Sequence, residues 1–424
     1  MNGVFLRRNA VGPSLMPPGS MANRTLNTEH FIEPARKTFS VHHRLTTPTR
    51  HERWMNVALA LARRGEGLTR PNPPVGAVVV KNGQIIGAGF HRCAGRDHAE
   101  IIALKKAGAR ARGAQLYVTL EPCCTYGRTP PCVAAIIKSG IRTVITAVSD
   151  PNPRHRRRGI STLKKAGIKV VQGVCRKEGQ ELIEPFKTWI LSGRPYLSLK
   201  MAMSYDGKIA DYRGKSRWIT GKKARYFVHA MRRRVDAVLV GAGTVLADNP
   251  CLSPKPAAGR RPYRIILDAK GRVSPAAKVL RDSAAKQTIM VTTRLCQANR
   301  RNEWLKNGAQ VWIIPSRRAD GKISIPALMN KIGRIGLLHV LCEGGSETAA
   351  SLIEAGMVDE FVFILAPMII GGQCAPAAVG GDGWKLSESP KLRFIEQKII
   401  GNDILVRAKP LKRRQKPVVR SQNI

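Results

Sequence analysis

Acidic residues are scarce in this sequence: 28 Asp and Glu stand against 72 Lys and Arg in 424 residues, a formal charge of +44. That charge draws the chain toward polyanions whatever its fold, so nucleic acid is a partner to be argued against rather than ignored. Aromatic residues make up only 5% and form no series of stacking platforms, which weighs against single-strand binding. Long apolar runs are missing as well. The greasiest stretch, Phe361 to Ile370, is broken by Pro367 and falls short of the roughly 18 residues that a membrane span needs, so no membrane partner is expected. The nine cysteines are odd in number and scattered, a poor disulfide framework that suits a reducing, cytoplasmic setting.

With 43% hydrophobic residues, a chain of this length can bury two sizeable cores. Residues 1–53 are basic and polar and lack the apolar centre of a secretory signal. Three readings stay open for them: an organelle-targeting presequence, an extension ahead of a true start at Met21 or Met55, or a disordered basic arm. The tail at 411–424, with Lys and Arg and no acid, reads as solvated.

Between these ends, hydrophobic periodicity alternates strands and helices, the mark of layered α/β domains. Met55 to Arg64 has helical spacing. Gly76 to Val80 and Gln84 to Gly87 read as strands around the Asn82-Gly83 turn. A helix from His98 to Gly108, a strand at Leu116 to Leu120, a helix from Val133 to Gly140, a strand at Val144 to Val148, a helix from Ser161 to Gly167 and a strand at Val170 to Val174 follow. A second series starts after Gly193-Arg194-Pro195, with strands at Leu197 to Met201, Ala237 to Val240, Tyr263 to Leu267, Thr288 to Val291, Val311 to Ile314 and Leu338 to Cys342. Neither half repeats the other. The expected division is therefore a first domain at 54–193 and a second at 194–410.

The first half carries His98-Ala99-Glu100 at a helix start, Pro122-Cys123 after a strand, and Cys132 beyond a loop. Zinc in a hydrolytic site takes three protein ligands and one open position, where it lowers the pKa of bound water to about 7. His98, Cys123 and Cys132 supply such a set. Glu100 stands close enough to shuttle a proton without binding the metal. The order matches the H-x-E followed by P-C-x-x-C of the zinc nucleobase deaminases, with one departure: Tyr126 occupies the position three after Cys123, and the next thiol of the right kind is Cys132. Cys124 competes by adjacency, and Cys93 reads as structural.

That long loop, with Pro71-Asn72-Pro73-Pro74-Val75-Gly76 before it and Asp150-Pro151-Asn152-Pro153 after it, resembles the deaminase half of the bifunctional deaminase-reductase of riboflavin biosynthesis. The resemblance implies a cytidine deaminase-like α/β/α layered domain, zinc on His98, Cys123 and Cys132, proton shuttling by Glu100 and substrate contact by Asn72, which could equally be a turn residue. Arg128 would meet a substrate phosphate or stay solvated. The basic run Arg154 to Arg158 reads as a solvated face.

In the second half, Gly241-Ala242-Gly243-Thr244 follows a strand but is no Rossmann fingerprint, since Leu246 stands where the third small residue belongs. Glu343-Gly344-Gly345-Ser346 runs from a strand into a helix whose amino end could receive a cofactor pyrophosphate. Leu199 to Gly207, Ser216 to Gly221, Gly243 to Pro250 and Glu343 to Gly345 resemble the reductase half of the same family, which is similar in fold to dihydrofolate reductase and uses NADPH. By that resemblance Ala202, Trp218, Thr244, Asp248 and the stretch Gly345, Ser346, Glu347, Thr348, Ala349, Ala350 and Ser351 contact NADPH. Ser216, Arg232, Leu252, Lys255 and Glu343 hold the substrate. Bland alternatives stand beside these: Trp218 and Leu252 as core, Arg232 as surface, Asp248 as a cap. Lys255 replaces the family's usual arginine, a point charge for a fork, and Ala269 replaces a common serine.

The family's substrate is a phosphorylated diaminopyrimidinone ribotide, deaminated on zinc and then reduced by NADPH at the ribose. An anionic substrate and cofactor suit a basic chain. A nucleic-acid deaminase is the enzymatic rival but leaves the second domain without a task. A nucleic-acid-binding protein with a structural zinc has no need of Glu100. A homo-oligomer is compatible with everything above.

Overall fold

The computed structural model describes residues 49–127, 129–256, 260–316 and 321–411. The readings made for the N-terminal segment up to residue 48, for Arg128 and for the tail from 412 lie outside these described residues.

The first half runs α1 (Arg50–Arg63), β1 (Gly76–Lys81), β2 (Gln84–Phe90), α2 (Ala99–Ala107), β3 (Gln115–Leu120), α3 (Cys132–Lys138), β4 (Thr143–Val148), α4 (Arg158–Lys165), β5 (Lys169–Gln172) and α5 (Arg176–Ser192). The first helix starts ahead of the expected boundary at 54. Thr49 and Glu52 form a capping box that satisfies two amide donors of its first turn, a Thr-x-x-Glu signal that hydrophobic spacing alone does not register. Asn82 and Gly83 take φ of 49° and 74°, the left-handed pair that a tight hairpin between β1 and β2 demands.

The five strands lie in the order β2-β1-β3-β4-β5, with β1 antiparallel to both neighbours and β3, β4 and β5 parallel. Alternate residues of each strand feed opposite cores. Ala77, Val79, Leu116, Val118 and Val144 pack against α2, α3 and α4, whereas Val78, Val80, Tyr117 and Ile145 pack against α1 and α5. The result is an α/β/α sandwich.

The second half contains β6 (Tyr196–Ser204), α6 (Lys222–Arg234), β7 (Ala237–Gly241), α7 (Ala242–Asp248), β8 (Tyr263–Leu267), α8 (Lys278–Arg281), β9 (Thr288–Thr292), α9 (Ala298–Lys306), β10 (Gln310–Ile313), α10 (Ile325–Arg334), β11 (His339–Cys342), α11 (Ser346–Glu354), β12 (Glu360–Ala366), β13 (Leu392–Ile400) and β14 (Asp403–Pro410). Nine strands form one sheet in the order β10-β9-β8-β7-β11-β6-β12-β14-β13. Its first seven members are parallel, and β14 and β13 close it antiparallel. Helices α10 and α11 cover one face, and α7, α8 and α9 cover part of the other. Helix α6 lies over β12 and β14 on that second face.

The halves meet through α5 and the loop at Arg70. Trp189 Nε1 donates to the Gly333 carbonyl at 2.8 Å, and Lys409 pairs with Glu184. Gly333 is glycine for a reason: a Cβ there would sit 1.9 Å from the Gly193 carbonyl oxygen. Arg70 reaches Asp236 at 3.8 Å, both side chains largely buried, and its guanidinium lies 4.8 Å from the Tyr263 ring centroid. Among the described residues, no helix is long and apolar enough to cross a membrane.

Candidate active sites

The first site is assembled where three consecutive elements begin or end. His98 is the N-cap of α2, Cys123 follows β3, and Cys132 opens α3. Their ligand atoms lie within 4.8 Å of one another, and no other such cluster occurs among the described residues. His98 Nδ1 faces Cys132 Sγ at 3.2 Å and Cys123 Sγ at 3.5 Å. The far nitrogen, Nε2, lies 3.4 Å from Thr129 Oγ1, a contact that fixes the ring's orientation. The backbone amide of Cys132 donates to Cys123 Sγ at 3.3 Å.

Hydrogen bonding from the Cys132 thiol outweighs burial and holds the Cys123 thiol down at about 4. The same bond, with burial, pushes Cys132 up. One imidazole and two thiols converging in this way form a donor set that suits zinc, with N and S ligands and room for a fourth position. Glu100 sits in the first turn of α2 and is only 4% exposed. Burial, reinforced by the charge on Cys123, lifts its carboxyl to about 7.

Cys124 packs against the core that includes α2 and α3 and is not part of the ligand cluster. Cys93 is exposed and lies outside the ligand cluster. Asn72 Nδ2 lies 3.1 Å from His91 Nε2, and the His91 ring stands edge-on to His98 at 5.1 Å. Asn72 therefore borders the site through His91, a residue that no sequence motif marked.

The second site is a cavity of about 1010 Å³ at the carboxyl ends of β6, β7 and β11. Ala202, Ser216, Trp218, Arg232, Thr244, Asp248, Leu252, Lys255, Glu343, Gly345, Ser346, Glu347, Thr348 and Ser351 all line it. Ala349 and Ala350 do not. They are 0% and 2% exposed, and Ala349 belongs to the core beneath α11. A helix turns its side chains through 3.6 residues, so a contiguous stretch of α11 cannot face one cavity throughout, and the expectation for 345–351 is corrected at these two positions.

The alternatives resolve one by one. Trp218 is 66% exposed and stacks under the Arg225 guanidinium at 4.4 Å, so it is not core. Leu252 is buried, with φ of 59°, and touches both core and cavity. Arg232 is a half-buried partner of Glu343, with Nη2 to Oε2 at 2.9 Å, and not a surface residue. Asp248 accepts from Ser216 Oγ at 2.7 Å.

Lys200 also lines the cavity. Burial lowers its pKa against the attraction of Glu343. For Glu343, burial works upward but the facing Arg232 wins and holds the carboxyl below its usual range. Lys200 was legible in principle, because it shares a strand face with Ala202 two residues on.

A cradle for a cofactor pyrophosphate is present. Gly344 and Gly345 take φ of 109° and 89° ahead of α11. A Cβ on Gly345 would sit 3.3 Å from Thr348 Oγ1 and 3.4 Å from Thr244 Oγ1, so the space between the amino ends of α7 and α11 stays open only because glycine is there. Free amides and the positive ends of two helix dipoles suit phosphate oxygens.

Comparison with known proteins decides the family. Residues 195–406 match the RibD C-terminal domain, and residues 48–148 match the cytidine and deoxycytidylate deaminase zinc-binding region. The chain is 44% identical to the riboflavin biosynthesis protein RibD of Bacillus amyloliquefaciens over 361 residues, 85% of this chain and 96% of that one. The chain belongs to the RibD family. The Escherichia coli K12 member is 36% identical over 366 residues, covering 83% of this chain and 97% of that one. Two solved RibD-type structures superpose on most of the chain. Acinetobacter baumannii RibD gives a TM-score of 0.76 at 34% identity, covering 86% of this chain and 99% of that one. The Thermotoga maritima diaminohydroxyphosphoribosylaminopyrimidine deaminase/5-amino-6-(5-phosphoribosylamino)uracil reductase gives 0.75 at 37%, covering 85% and 99%. As a RibD-family protein the chain is a bifunctional enzyme of riboflavin biosynthesis, a zinc-dependent deaminase joined to an NADPH-dependent reductase.

Proposed function

We propose that residues 54–193, with α1 extending back to Arg50, deaminate the diaminopyrimidinone ribotide 5'-phosphate, and that residues 194–410 reduce the product's ribosyl group to ribityl. The observation that carries this reading is the buried Glu100 carboxyl beside the cluster of His98, Cys123 and Cys132.

His98, Cys123 and Cys132 would hold the zinc. Zinc bound there supplies a Lewis acid that makes water nucleophilic near neutral pH. Glu100 takes the proton from the attacking water and delivers it to the departing amine. A carboxyl lifted to about 7 by burial is suited to both halves of that transfer. Asn72, oriented by His91, contacts the pyrimidine.

In the second site, Thr244 and the amino end of α11, from Gly345 to Thr348 and on to Ser351, receive the cofactor's phosphates. Ala202, Trp218 and Asp248 flank the rest of it. NADPH supplies the hydride. Arg232, held by Glu343, joins Ser216, Leu252 and Lys255 in positioning the ribotide. The reading needs no nucleic-acid partner and sets both reactions in the cytoplasm.

The test follows ammonia release and NADPH oxidation separately with the synthetic ribotide. Glu100→Ala should lower deamination by about 10²- to 10⁴-fold, while supply of the deaminated ribotide restores NADPH oxidation. A wild type that releases no ammonia from the ribotide would overturn the substrate assignment.

A further inference from the structure

Cys251, Leu252, Ser253 and Lys255 form part of the reductase cavity's wall, and three side chains of α6 strap their loop in place. His229 Nδ1 accepts from the Lys255 amide at 3.2 Å. Arg232 Nη1 donates to the Ser253 carbonyl at 3.2 Å, and Arg233 Nη1 donates to the Lys255 carbonyl at 3.0 Å. Positions 229, 232 and 233 share one face of the helix because they stand three and four residues apart.

His229 differs from the other two straps. A backbone amide can only donate, so Nδ1 is the unprotonated nitrogen of the ring. Burial, joined by the charges of Arg232, Lys255 and Arg233 and opposed by that of Glu343, lowers the imidazole's pKa. At neutral pH the ring is therefore uncharged, and its single proton sits on Nε2. Nε2 has no hydrogen-bond partner among the described residues, and the residue lines the cavity. The fold fixes one tautomer and leaves its donor unused.

The charge beside that donor is also uncompensated. Arg232 is met by Glu343, whereas Lys255 has no ion-pair partner among the described residues. An ammonium is a point charge without the fork of donors that fixes a phosphate's orientation. A directed N–H next to it supplies that orientation.

We infer that His229 is a phosphate-binding residue of the reductase, its Nε2–H donating to one oxygen of the ribotide's 5'-phosphate while the Lys255 ammonium meets another. This rests on the assignment of the cavity to the ribotide. One imidazole then seats the loop that carries Lys255 through Nδ1 and orients the phosphate through Nε2.

Two substitutions separate those tasks. His229→Asn keeps an acceptor in the place of Nδ1 and has nothing at Nε2. His229→Gln sets an amide donor in the place of Nε2 and gives up the acceptor at Nδ1. NADPH oxidation by the full chain is followed with the deaminated ribotide and with the matching riboside, which lacks the phosphate. Riboside turnover by each variant reports that it is folded. For the loss of a hydrogen bond to a charged group, His229→Asn should lower the ribotide-to-riboside ratio of kcat/KM by about 10- to 100-fold, mainly through the ribotide's KM. Inhibition by ribose 5-phosphate should weaken in parallel, and His229→Gln should keep most of the ratio. A residue that only anchors the loop gives the opposite order, with the Gln variant the worse of the two and both substrates affected alike. That order, an unchanged ratio in His229→Asn, or a rise in the KM of NADPH in place of the ribotide's would each overturn the inference alone. A wild type that oxidises NADPH with neither substrate would sink the cavity's assignment and the inference with it.

Discussion

The two active sites of this enzyme are built to opposite plans. The deaminase site draws its three ligands and Glu100 from a segment in which the outermost pair, His98 and Cys132, stand 34 positions apart. The reductase cavity gathers its wall from Lys200 on β6 to Pro376 beyond β12, with no motif that carries most of it. The difference teaches where function resides. In the first site each residue performs a chemical act that no neighbour duplicates, whereas in the second many residues share the task of holding two anionic molecules. Loss should therefore be abrupt in one half and graded in the other.

The largest effect is expected from Cys132→Ala. It removes a ligand at the first residue of α3 and leaves one thiol and one imidazole, short of the three protein ligands a catalytic zinc takes, and zinc affinity depends on ligand number. Metal content should fall to background and ammonia release should vanish, while NADPH oxidation of the deaminated ribotide continues. If both activities disappeared, the halves would not be chemically independent, and the comparison would fail.

Glu343→Gln should come next. The carboxylate is paired with Arg232 through two hydrogen bonds and attracts the half-buried Lys200, whose pKa desolvation lowers. Removing its charge leaves two half-buried cations without their counter-ion and Arg232 without the partner that positions it, and a loss of about 3 kcal/mol in transition-state stabilisation corresponds to roughly 10²-fold in kcat/KM. Reductase kinetics should show this drop with deamination intact. An unchanged kcat/KM would mean that the Arg232–Glu343 pair is scaffold and that other groups hold the ribotide.

How far these sites could be read from the sequence follows from the same contrast. His98, Glu100, Cys123 and Cys132 were legible because the chemistry needs those residue types in that order, and strand and helix periodicity placed them at element ends. The strands of both halves through β11 were legible for the same reason. The sheet's last three strands were not: β13 has no buried residue, so no alternation of buried and open positions marks it. Helix α5 was obscured by Pro185 inside it, which reads as a breaker. His91 was missed because no motif includes it and its role comes from contacts with Asn72 and His98 that only the folded loop creates, whereas Lys200 could have been found from the strand face it shares with Ala202. Ala349 and Ala350 were misplaced because a motif written as a contiguous string ignores the turn of the helix that carries it.

Thr129→Val sharpens the comparison at the level of supporting residues. Thr129 touches the His98 nitrogen that faces away from both sulfurs, and loss of such an orienting partner typically costs about 10- to 100-fold in metal affinity. Zinc competition against a chromogenic chelator should show a shift in that range. Deaminase activity at saturating zinc should be nearly restored, which separates an orienting role from a catalytic one.

The smallest effect should be that of Arg70→Ala, and it asks whether the two halves behave as one body. Arg70 joins the loop before Asn72 to Asp236 and Tyr263. Asp236 would not be orphaned by its loss, because its carboxylate also accepts from the amides of Leu338 and His339 at 2.8 and 3.1 Å. The change should therefore fall below that for a broken buried pair, at about 1 kcal/mol, mostly from the lost cation–π contact. Trp189 and Lys409 still bridge the halves in the variant. Urea unfolding followed separately by zinc release and by loss of NADPH binding should give coincident midpoints in the wild type and a small, shared shift in Arg70→Ala. Midpoints that separate on this single substitution would place the coupling between the halves at Arg70, and the contrast between an abrupt site and a graded one would then extend to their folding.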